Sequence, residues 1–128
     1  KISNNEYVDE ICKLSPLIGH LRFCNTLTTK LRYYESGNFY RGHYDDSRFT
    51  FLTYFFKEPK QFSGGDPYFD DYDYSIEIEN NMCVFFVGSI IHSSKELKLK
   101  PGAQSWSGNG KYVIAQFVDL ISEPRIIN

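Results

Sequence analysis

The chain has 128 residues, a net charge of −2 and a hydrophobic fraction of 41%, which fits one globular domain with one core. That charge gives no reason to expect nucleic acid or an anionic membrane as partner, and no apolar run approaches the length of a membrane span. Aromatics reach 17%, mostly Tyr and Phe, residues that favour strands and suit the walls of a concave pocket.

Lys1 to Asn5 shows no signal peptide, and the start without Met points to a processed, trimmed or incomplete chain. Glu6 to Leu14 reads as a short amphipathic helix with Tyr7, Ile11 and Leu14 near one face, capped by Asn4 or Asn5 and limited by Pro16. Strand signals follow. Leu27 to Tyr34 is rich in Thr, Leu and Tyr and ends at the turn Ser36-Gly37-Asn38. Phe39 to Asp45 and Phe49 to Phe56 are the next strands, the latter closed by Glu58-Pro59. Gly64-Gly65-Asp66-Pro67 is a turn, and Asp70 to Asp73 is an acidic segment that reads as a solvated loop, with a substrate rim as the alternative. Tyr74 to Glu79 alternates as a half-buried strand and turns at Asn80-Asn81. Met82 to Val87 is an apolar strand broken by Gly88, Ile90-Ile91-His92 begins another, Pro101 to Gly110 is a loop, and Tyr112 to Leu120 is the last strand. Short punctuated strands with little helix predict a mainly β sandwich or barrel. The whole chain, 1–128, reads as one domain with its core at about 27–120. Cys12, Cys24 and Cys83, an odd count without close pairs, argue against a disulfide framework and for a reducing, cytoplasmic compartment. Cys83, inside an apolar run, is expected to be a buried thiol.

Residues two apart on a strand share a side, so His43 and Asp45 can reach one cation together. Alone, the pair reads equally as a surface histidine beside a turn carboxylate, and His92 alone as a satisfied core or edge histidine. Together they supply two imidazoles and one carboxylate, the set that holds non-haem Fe(II) and leaves three positions open. Lys111 opens the last strand. Facing inward, it would meet the carboxylate of an acidic cosubstrate; facing outward, it would keep its head in water.

In this order the motifs resemble the prolyl 4-hydroxylase-like branch of the Fe(II)/2-oxoglutarate-dependent oxygenases, over roughly Leu31 to Leu120. The segments are Leu31 to Gly37, Tyr40 to Asp45, Arg48-Phe49-Thr50 with Leu52, Tyr54 and Phe55, Gly64-Gly65-Asp66, Val84 to His92, and Lys111-Tyr112. The resemblance implies a double-stranded β-helix, or jelly roll, with a short N-terminal helix. It implies a dioxygenase that decarboxylates 2-oxoglutarate with O2 and hydroxylates a C–H bond, with ascorbate a common requirement. His43, Asp45 and His92 would ligate iron, Lys111 would pair with the far carboxylate of 2-oxoglutarate, and Tyr34, Tyr54 and Thr50 would line that cosubstrate pocket. Arg48 would touch substrate at the mouth or form a surface salt bridge; Trp106 would be a lid or a loop anchor.

The connection from His92 to Lys111 is longer than the family's, and Lys98 and Lys100 lie nearer its spacing. The implied substrate is a prolyl residue in a protein or peptide. A free amino acid or another small molecule is the enzymatic alternative, and a catalytically silent β-barrel binding module the non-enzymatic one. Oligomeric state is not readable.

Overall fold

The computed structural model describes residues 6–122. It is mainly β, with one α-helix and ten strands among these residues. The helix, α1 (Glu6–Lys13), is followed by a 3-10 turn at Ile18–Phe23. The strands are β1 (Thr26–Tyr34), β2 (Tyr40–His43), β3 (Phe49–Phe55), β4 (Phe62–Gly64), β5 (Pro67–Phe69), β6 (Tyr74–Ser75), β7 (Cys83–Val87), β8 (His92–Ser94), β9 (Leu97–Leu99) and β10 (Lys111–Asp119). All pairings are antiparallel. A major sheet runs β1-β10-β3-β7, a minor sheet β2-β8-β5-β6, and β4-β9 is a separate ribbon. No described helix is long and apolar enough to cross a membrane.

Period-two alternation gives the major sheet two distinct faces. Inward, Tyr34, Tyr54, Val84, Phe86 and Val113 pack with Phe69 of the minor sheet and with Phe62 and Leu97 of the ribbon. Phe69 meets Phe86 edge-on, with ring centroids 5.2 Å apart. Outward, Phe49 and Val118 pack under Val8, Leu21 and Cys24, with Phe51, Phe85 and Val87 partly buried beside them. The helical segment therefore covers one end of the outer face. Both faces of β3 are covered there, which is why Phe49-Thr50 reads as continuous burial.

Several expectations shift. The face of α1 that packs is Val8, Ile11 and Cys12, spaced three and four apart, while Tyr7 and Leu14 are exposed. The cap expected at Asn4 or Asn5 lies outside the described residues. Tyr74 to Glu79 keeps its alternation, with Ile78 buried, but pairs as a strand only over Tyr74–Ser75. Beyond that, the Ile76 N–H donates to the Pro67 carbonyl and the Ile78 N–H to Asp66 Oδ1. Cys83 is exposed, because it pairs with Thr53 on the outer face, beyond the residues that the helical segment covers. All three cysteines are free thiols.

Candidate functional site

The last residue of β2 pairs with the first of β8, so His43 stands opposite His92 with ring centroids 4.3 Å apart. Asp45 follows just beyond the strand end. Its backbone N–H donates to the Gly88 carbonyl at 2.8 Å, and the Gly88 N–H donates to the Arg48 carbonyl at 2.9 Å. A Cβ at Gly88 would sit 1.9 Å from the Ser47 carbonyl oxygen, so only glycine lets the two segments approach. The Asp45 carboxylate then points one oxygen at each histidine: Oδ1 is 3.5 Å from His43 Nε2, and Oδ2 is 3.5 Å from His92 Nε2.

Both rings are fixed from behind. His43 Nδ1 lies 2.7 Å from the Arg41 carbonyl and His92 Nδ1 2.8 Å from the Ile90 carbonyl. A carbonyl only accepts, so each Nδ1 carries the proton and each Nε2 offers its lone pair inward. Burial lowers the pKa of His92 below the usual imidazole range, which keeps it neutral. One ligand atom from each of the three residues lies within 4.8 Å of the others. Two imidazoles with Nε2 turned inward and a carboxylate between them fit a non-haem Fe(II) ion with open positions.

The same pocket ends at Lys111, which is 1% exposed. Its Nζ donates to the Gly65 carbonyl and, at 2.9 Å, to Ser94 Oγ; it sits 4.2 Å from the ring centre of Tyr34 and 5.5 Å from that of Tyr54. Desolvation lowers its pKa to about 8, against a smaller upward pull from Asp66. Burial raises the phenol of Tyr34 while the Arg32 guanidinium pulls it down, and burial raises Tyr54 strongly. Lys111 reaches this depth because Gly110, just before it, presses on β1: a Cβ there would lie 1.9 Å from the Tyr34 carbonyl oxygen.

Tyr34, Tyr54 and Lys111 thus line one pocket with His43, Asp45 and His92. Lys98 and Lys100 are exposed, Lys98 on β9 opposite Ser63. The extra length between His92 and Lys111 is spent on that ribbon and on the following loop. Thr50 is fully buried and does not line the pocket; its hydroxyl donates to Asp45 Oδ2 at 2.6 Å and so orients the carboxylate. Arg48 faces Asp119, Nε to Oδ1 3.5 Å, at the end of the sheet opposite Lys111. Trp106 is 77% exposed, its backbone N–H donating to the carboxylate of Glu35 at 2.9 Å. Neither Arg48 nor Trp106 lines the pocket. Sequence reasoning missed Ser94 and Arg32, which do. Ser94 had a signal, its spacing of two from His92 on a strand; Arg32 had the same relation to Tyr34.

No family model matches the chain, and no curated protein matches it. Among solved structures it is similar to a crystal structure of a Pseudomonas putida prolyl-4-hydroxylase, with a TM-score of 0.55 and 17% identity over 93% of this chain and 67% of that one. The likeness is one of fold. It sets the chain in the same mainly β architecture; the cluster of His43, Asp45 and His92, which could hold a metal ion, lies in the pocket between the two sheets.

Proposed function

We propose that this protein is an Fe(II)- and 2-oxoglutarate-dependent dioxygenase that hydroxylates a C–H bond, with a prolyl residue of a protein or peptide as the substrate, on a double-stranded β-helix scaffold. The observation that carries the reading is a pocket with three converging metal donors and a buried, charge-bearing lysine. A lysine so buried needs an anionic partner, and a dicarboxylate that also chelates a metal supplies one.

Bound Fe(II) would supply the redox chemistry that couples decarboxylation of 2-oxoglutarate to hydroxylation. The chain's own residues do the rest. His43, Asp45 and His92 would hold the ion, and Thr50 keeps Asp45 oriented with its oxygens turned toward the histidines. Lys111 and Ser94 receive the far carboxylate, and the Tyr34 and Tyr54 rings beside them exclude water. Phe86 packs 4.6 Å from the His92 ring and keeps that ligand dry.

The test is turnover. The Fe(II)-loaded protein should convert 2-oxoglutarate to succinate, be inhibited by N-oxalylglycine, and add one oxygen atom to members of a proline-containing peptide library read by mass spectrometry. Absence of both Fe(II) uptake and succinate would overturn the reading and leave a binding module. Succinate formation with no peptide product would move the substrate to a small molecule.

A further inference from the structure

A second cationic side chain besides Lys111, that of Arg32, lines the pocket. β1 is an edge strand, and the residues that share the side of Tyr34 are Arg32, Lys30 and Thr28. They pair with Val113, Ala115 and Phe117 of β10, as Tyr34 pairs with Lys111. This face of an interior-lining strand is therefore polar and basic where its partner strand is apolar. Arg32 is half-buried and lines the pocket with the three metal donors. Its guanidinium lies 4.8 Å from the ring centre of Tyr40, whose ring meets His43 edge-on at 4.4 Å. Lys30 lies 5.6 Å from the Phe117 ring. Among the described residues, no carboxylate forms an ion pair with Arg32 or Lys30.

A half-buried guanidinium that meets the Tyr34 hydroxyl and the Tyr40 ring forgoes its best partner, a carboxylate bound through two parallel N–H donors. Lys111 is already assigned to the cosubstrate, and Arg32 stands two residues along the strand from the Lys111 row, about 7 Å at ordinary strand rise. We propose that the substrate oxidised here carries a carboxylate, which Arg32 binds beside Tyr40 with Lys30 adding attraction at the rim. This rests on the dioxygenase reading, which supplies both the oxidised substrate and the assignment of Lys111 to 2-oxoglutarate. The acid group is either the terminal carboxylate of a free amino-acid derivative or an acidic side chain next to the target residue in a peptide.

Binding without turnover tests it. Calorimetry on the whole protein, saturated with N-oxalylglycine and Mn(II), compares N-acetyl-L-proline with N-acetyl-L-prolinamide, and acetyl-Glu-Pro-amide with acetyl-Gln-Pro-amide. In at least one pair the acid should bind about tenfold tighter than its amide, the pair that responds naming the source of the carboxylate. Arg32→Gln should bring the acid down to the level of the amide and leave the amide unchanged; Arg32→Lys should keep part of the preference. Equal binding of acid and amide in both pairs overturns the proposal. So does a preference that survives Arg32→Gln, or a variant that weakens acid and amide alike, which would make Arg32 a prop for Tyr40 and His43. Failure of the dioxygenase reading would appear separately, as no Fe(II) uptake and no succinate.

Discussion

On the inner face of the major sheet, Thr50, Tyr34, Tyr54 and Lys111 bury polar groups; on the outer face, Phe49, Val118, Val8 and Leu21 bury hydrocarbon. Among the described residues no buried side-chain polar atom lacks a partner, so the inner face is polar without being unsatisfied. Alternation along single strands makes the division. On β3, Thr50 orients the Asp45 carboxylate while Phe49 and Phe51 beside it hold the helical segment. Chemistry and cohesion are thus separable by mutation although the residues are sequence neighbours.

The sharpest break of that comparison is Asp45→Ala. It removes the carboxylate from the metal set, and turnover should be lost while the far-ultraviolet circular dichroism and melting profile stay near those of the parent; near-normal activity would remove Asp45 from the ligand set. Leu21→Ala is the outer-face counterpart. It empties a fully buried position and should cost about 3 kcal/mol in denaturant unfolding, with kcat unchanged where the protein remains folded. A fall in kcat there would show that the two faces are coupled.

Next in size is Lys111→Ala, which should raise the KM for 2-oxoglutarate by about fiftyfold and leave Fe(II) affinity nearly untouched, while Lys98→Ala and Lys100→Ala change neither. The same amine predicts a pH profile. With its pKa lowered to about 8, Lys111 is charged below that pH and ready for a carboxylate. Above it, apparent affinity for 2-oxoglutarate should fall about tenfold per pH unit, until the pKa of the ligand-bound form is passed. Stability runs the other way. The buried ammonium is a cost below pH 8 that lifts as pH rises from 8 to 10.5, the ordinary value of the group. The smallest effect is at Cys83, exposed on the outer face. Cys83→Ala should alter unfolding by less than about 0.5 kcal/mol, and an alkylating reagent should label Cys83 before the buried Cys24.

The long strands β1, β3 and β10 were readable because each is a run of strand-favouring residues, seven or nine long, bounded by turn or loop signals. The turns at Gly37 and Asn81 were readable from their chemistry, and both residues have positive φ. The convergence of His43, Asp45 and His92 was readable because their spacing and order carry the signal. The three-residue strands β4 and β9 were not, since so few residues carry no period and their pairing is decided by tertiary contact. The packing face of α1 was misjudged because Tyr7 and Leu14 are apolar, yet the sheet offers its groove to Val8 and Ile11. Cys83 sits in an apolar run, but which side of a strand is covered depends on where another segment ends. Arg32 and Ser94 escaped notice although each stands two residues along a strand from a residue already read as inward, Tyr34 and His92; their strand partners confirm that shared side.

Gly110 has one further consequence. With no side chain to hold β10 off β1, the amine of Lys111 stays at one depth, and the histidines are tied to another by their backbone carbonyls. Under the proposed function the gap between them is a rigid gauge. It admits a diacid of one carbon count and leaves a shorter or longer homologue attached at one end only.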